Sequence, residues 1–91
     1  MKFMVTWKIP PAHMAPAVAR FLKTGGAPPK GVRLQGRWHG PGLGFALVDC
    51  KEGKALYEWI AEWADQLDMG AHPVVDDREG AAVLRRVYKG R

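Results

Sequence analysis

A tight turn at Gly40-Pro41-Gly42 separates two strand-helix-strand halves, and it constrains the fold more than any other feature of the chain. Upstream of it, residues 2–9 alternate: Phe3, Val5, Trp7 and Ile9 on one side, Lys2, Met4, Thr6 and Lys8 on the other. A period of two in aromatic and β-branched residues predicts a strand. Pro10 and Pro11 end it. Met14, Val18, Phe21 and Leu22 then recur at helical spacing, with Pro16 tolerable in the first turn. Gly25-Gly26 stops this helix, and residues 28–31 form a loop. A second strand is expected from about Val32 to His39. Plain alternation puts Val32, Leu34, Gly36 and Trp38 on one face and Arg33, Gln35, Arg37 and His39 on the other. The third strand, Leu43 to about Asp49, folds back across the turn as a hairpin.

The second half repeats the plan. Leu56, Trp59, Ile60, Trp63 and Leu67 form one stripe of a helix whose other side carries Glu58, Glu62 and Asp65. A short strand is expected at His72 to Val75. Asp76 and Glu79 then resemble a capping box before a closing helix with Val83, Leu84, Val87 and Tyr88 on its apolar side. At 91 residues there is room for one domain, residues 1–91. Two such units joined by a hairpin imply an α+β, ferredoxin-like βαββαβ fold. Its four-stranded antiparallel sheet has the order 4-1-3-2, both crossover helices lie on one face, and a C-terminal helix follows. The other face is left open, bearing Met4 and either Phe45 and Leu47 or Ala46 and Val48. Such an apolar patch marks association.

Composition narrows the setting. Cys50 is the single cysteine, which excludes an internally disulfide-stapled fold. The N-terminus is too short and too alternating for a signal segment, and no apolar run approaches the roughly 20 residues of a membrane span. A cytoplasmic location is the expectation, with no membrane partner. Four tryptophans are more than a small core comfortably takes up, so some of their surface is expected to meet a partner or ligand. The net charge of +5 is spread along the chain, as on an ordinary solvated surface.

The topology predicts one end of the sheet as the place for chemistry. It is expected to collect His13, His39 and His72 with Trp7, Trp38 and Trp63. A three-histidine metal site fails there on distance. Strands two and four stand three positions apart, about 14 Å at roughly 4.8 Å per strand, against metal bonds of about 2 Å. No metal is therefore expected, and no cofactor signature such as a P-loop or GxGxxG appears. His39 is the catalytic candidate. It precedes a turn of small residues and has an intrinsic pKa suited to proton transfer or ligation. Trp7 and Trp38 are expected to share the helix-covered face as an aromatic wall, with Trp63 closing it. Arg37 and Arg33 are expected on the open face, and Arg37 and His13 join the ligand-binding candidates. Gly44-Phe45-Ala46-Leu47-Val48 follows part of an RNA-recognition pattern, but Leu43, Leu47 and Cys50 stand where basic and aromatic residues are needed. Nucleic acid is therefore the weaker reading.

Several segments carry a resemblance across the whole chain: Met1 to Trp7, Gly36-Arg37-Trp38-His39-Gly40, Tyr57-Glu58-Trp59-Ile60 with Trp63, and Pro73-Val74-Val75-Asp76. They are similar to a family of small bacterial proteins carrying a domain of unknown function. That family resembles a branch of the dimeric α/β-barrel superfamily, in which two ferredoxin-like subunits pack sheet against sheet. The superfamily includes cofactor-poor monooxygenases, haem-degrading enzymes, isomerases and stress-response proteins. The resemblance thus implies a fold and a homodimer through the open sheet face but selects no reaction. The expectation is a small-molecule pocket at the Trp7/Trp38/His39 end, of monooxygenase or isomerase type. The alternatives are a nucleic-acid-binding domain and a non-catalytic interaction protein.

Overall fold

The computed structural model describes residues 1–90. Its elements are β1 (Lys2–Lys8), a 3-10 turn (Pro11–His13), α1 (Met14–Thr24), β2 (Val32–Gly40), β3 (Leu43–Cys50), α2 (Gly53–Trp63), β4 (Asp68–Val74) and α3 (Asp77–Val87). The sheet runs β2-β3-β1-β4, which is 4-1-3-2 counted from the other edge, and every neighbouring pair is antiparallel.

Registers define the two faces. Val5 pairs with Ala46 on one side and Ala71 on the other, and Phe3 pairs with Val48. Val5, Ala46 and Val48 are fully buried. They form the core with Val32, Cys50, Leu56, Trp59 and Trp63, so α2 covers this face. Met4, Thr6, Phe45 and Leu47 accordingly look out from the uncovered face. Of the two pairs the sequence left open, Phe45 and Leu47 are the outward one.

Three expectations need correction. β4 begins at Asp68, well before His72, because it pairs with β1 along the whole of Lys2–Lys8. That completed ladder outweighs the poor strand propensity of Asp68 and Gly70. In β2 the pairing steps from Leu34 opposite Val48 directly to Gly36 opposite Leu47. Gln35 is therefore an extra residue in a β-bulge, which reverses the alternation beyond it. Arg37 and His39 turn to the helix-covered face, and Trp38 turns to the open one. In α1, Ala17 is the buried residue while Val18 and Leu22 are exposed, so the helix leans on the sheet through a neighbouring stripe.

α1 ends where Gly25 adopts a φ of +74°, a left-handed cap that a side chain would resist. α1 is fastened to the end of α2 by Arg20. Its guanidinium lies 4.1 Å from the centre of the Trp63 ring and donates to the Glu62 carbonyl. α3 is capped as the sequence predicts, the Asp76 carboxylate accepting from the Glu79 amide at 2.8 Å. It nevertheless projects from the domain. None of its residues is buried, and the molecule measures 52 Å along its longest axis. The Cα radius of gyration is 15.6 Å, against about 12 Å for a compact chain of this length.

Candidate ligand cleft

A row of four residues runs across the covered face near the end of β1. Met69 on β4 pairs with Trp7 on β1, Trp7 pairs with Gly44 on β3, and Gly44 pairs with His39 on β2. Gly44 is what lets the Trp7 indole lie across β3. A Cβ built there would stand 2.2 Å from Trp7 Cζ2, far inside contact distance. The indole thereby reaches His39, with ring centres 6.1 Å apart in an edge arrangement. From the other side Phe21 on α1 approaches the same imidazole at 5.1 Å.

Between this row and the two helices lies a cleft of about 120 Å³. Trp7 and Ile9 form its floor with His39 and Arg37. Ala17, Val18 and Phe21 supply one wall, Trp59 and Trp63 the other, and Leu67 and Met69 close the β4 side. Arg37 braces the loop after α1, donating from Nη1 to the Gly26 carbonyl at 2.8 Å and from Nη2 to the Gly25 carbonyl at 2.9 Å. Its guanidinium also sits 5.1 Å from the Phe21 ring centre. Gly26 has little room for a side chain, since a Cβ would meet Phe21 Cδ1 at 3.0 Å and Arg37 Nη1 at 3.1 Å. The lining is thus aromatic and aliphatic, with one imidazole and one guanidinium on the floor. The Nε1–H of Trp59, itself shielded from solvent, has no hydrogen-bond partner among the described residues. An orphaned donor of this kind costs roughly 1–3 kcal/mol.

The structure brings together four of the residues singled out from sequence: Trp7, Arg37, His39 and Trp63. Arg37 arrives there through the bulge rather than on the open face. Trp38 does not join them. It lies on the opposite face of the sheet, paired with Phe45, and both are exposed. His13 is in the 3-10 turn, outside the cleft lining. His72 sits at mid-strand opposite Met4, on the open face, because β4 starts four residues earlier than the sequence suggests. The three histidines therefore do not share one end, and no group of three metal-ligating side chains occurs among the described residues. Cys50 is buried in the core. Arg33 is on the open face as expected, beside Asp49 at 3.4 Å.

Phe21, Trp59 and Leu67, which the sequence places only on the apolar stripes of helices, and Met69, to which it assigns no role, also line the cleft. One signal was available: Gly44 sits opposite Trp7 once the β1–β3 register is known. At the far end of the sheet, the N-terminal ammonium donates to the Asp49 carboxylate at 3.1 Å. That hydrogen bond, supported by the charges of Arg33 and Lys2, holds the Asp49 carboxyl below its ordinary range.

Fold and cleft together define a small α+β protein with a ferredoxin-like sheet, one face covered by helices and the other bare. Residues 1–88 match the family described as a domain of unknown function, DUF3303, and the chain belongs to that family. No curated protein and no solved structure gives a significant match. No helix among the described residues is long and apolar enough to cross a membrane.

Proposed function

We propose that this chain is a homodimeric small-molecule-binding protein whose cleft takes a flat, largely apolar molecule bearing one acidic or hydrogen-bond-accepting group. The observation that carries this reading is His39. Its ring is flanked by Trp7 and Phe21 on the floor of an apolar cleft, and it has no hydrogen-bond partner among the described residues. Its nitrogens are therefore available to a ligand. The cleft volume of about 120 Å³ is close to that of apolar cavities of about 150 Å³ that admit a benzene ring. Arg37, one residue pair away, adds positive charge beside the imidazole. A proton transferred by His39 to or from such a ligand is the step that a reaction of monooxygenase or isomerase type would need. Dimerisation is proposed through the open face, where Trp38 and Phe45 are exposed and Met4 and Leu47 are half-buried.

Benzoate and toluene, as an anionic and a neutral single-ring probe, test the cleft by quenching of tryptophan fluorescence. Saturable binding of benzoate, weakened at least tenfold by His39→Ala at unchanged melting temperature and oligomeric state, is expected. Equal benzoate affinity in a stable His39→Ala variant would refute the role of the imidazole. Absence of saturable binding by either probe would refute the cleft itself.

A further inference from the structure

α3 is built to be a helix, yet none of its residues is buried in its own chain. It is capped by Asp76, carries acids in its first turn and Arg85 and Arg86 in its last, and so suits its own dipole. Val83, Leu84 and Val87 form a stripe along one side, and all three are exposed. An isolated helix of 11 residues is marginal in water, where stable ones need roughly 12–15 residues or a packed apolar face. The sequence therefore specifies a helix whose apolar stripe is meant to be covered.

Area points to the cover. The open sheet face spans four strands at about 4.8 Å and about seven residues at roughly 3.3 Å, a footprint near 450 Å². Stable interfaces bury about 800 Å² per partner, so the face alone falls short. A helix of this length, about 16 Å by 10 Å, adds roughly 160 Å² where it lies on a partner and the same again where the partner's helix lies on it. The two contributions together bring the total close to what a stable dimer needs. Charge agrees, because the open face is mixed rather than uniformly basic. Lys2, Lys8 and Arg33 alternate there with Asp49 and Asp68, and Lys8 is paired with Asp68 across strands. A mixed surface suits the self-complementary contact of a two-fold dimer, not a polyanion.

We infer that α3 is an exchanged arm: its Val83, Leu84 and Val87 stripe packs on a second copy of this chain, extending the sheet-to-sheet contact. This rests on the homodimer reading above, and the test separates the two. Full-length chain carrying both Leu84→Glu and Val87→Glu is compared with Phe45→Glu by sedimentation, with circular dichroism at low concentration confirming that each monomer folds. The double variant is expected to raise the dimer dissociation constant at least 100-fold without loss of the sheet signal, since neither side chain is buried in its own subunit. A 1:1 mixture of methyl-labelled and unlabelled chains should show contacts from Leu84 and Val87 methyls to the other chain. A wild-type monomer at micromolar concentration overturns both readings. A dimer broken by Phe45→Glu but changed less than threefold by the double variant overturns the arm and leaves the sheet dimer standing. Contacts from α3 to its own sheet, or single-stranded RNA held on the open face at physiological salt, overturn it equally.

Discussion

Gly44→Ala should destabilise this protein, and the sign of the effect is the informative part. Gly44 is the second residue of β3 and has no positive φ, so on backbone grounds alanine is compatible. Relief of glycine's unfolded-state entropy would then stabilise the fold by about 0.4–1 kcal/mol. Against this stands the Trp7 indole, whose Cζ2, Cε2 and Nε1 would lie 2.2, 2.3 and 2.7 Å from the new methyl. Carbon contacts settle at roughly 3.5–4.0 Å, so the ring must retreat by more than about 1 Å. It is a rigid bicycle with His39 beside it and Met69 paired across the strand, not the loose end of a flexible chain. Overpacking of this kind costs about 1–3 kcal/mol. The steric cost exceeds the entropic gain, leaving a net loss of about 1–2 kcal/mol. At about 4–8 °C per kcal/mol for a domain of this size, the melting temperature should fall by roughly 4–15 °C. Melting is followed by calorimetry at one fixed protein concentration, since the proposed dimerisation would make it concentration-dependent. A double-mutant cycle with Trp7→Val isolates the contact, and most of the loss should vanish in that background. A Gly44→Ala protein as stable as wild type or more so, or additivity within about 0.5 kcal/mol, would refute the packing argument and with it the role of Gly44 in shaping the cleft.

Arg20→Met should lower stability by about 1 kcal/mol, from the lost stacking on Trp63 and the lost bond to the α2 terminus; a shifted denaturant midpoint at unchanged slope reads this, and an unchanged midpoint contradicts it. Trp59→Phe should cost less than about 2 kcal/mol, against roughly 3–5 for truncation of a buried tryptophan to alanine, because the indole N–H it removes is unpaired. A larger loss would show that the N–H is satisfied in solution. Asp49 contributes stability that is present above the ordinary carboxylate pKa of about 3.9 and is lost as pH falls through its lowered native value. Asp49→Asn should therefore flatten the acid limb of the stability profile below about pH 4 while leaving its shape near neutrality unaltered.

Local pattern was enough for most of the architecture. Alternation in Lys2–Lys8, the turn at Gly40-Pro41-Gly42 and the 3.6-residue stripe of Leu56, Trp59 and Trp63 each follow from nearest-neighbour physics. Handedness and connection rules then leave one strand order. Asp76 as the cap of α3 was equally legible, because a cap is decided within four residues.

What the sequence by itself determined, then, was which segments become strands and helices, and that one sheet face would stay bare. What only the tertiary structure decided was which side chains share the cleft. The bulge at Gln35 is invisible in the run Val32-Arg33-Leu34-Gln35-Gly36-Arg37-Trp38-His39, where simple alternation reads without a break. It shows only in the pairing of β2 with β3, and one extra residue inverts every position beyond it. That inversion carries His39 and Arg37 into the cleft and turns Trp38 out toward the face proposed to meet a second subunit. The start of β4 at Asp68 is likewise a property of its partner strand rather than of its own weak propensity, and it moves His72 from the rim to mid-sheet. Both outcomes depend on hydrogen-bond register between segments distant in sequence, which no local pattern encodes.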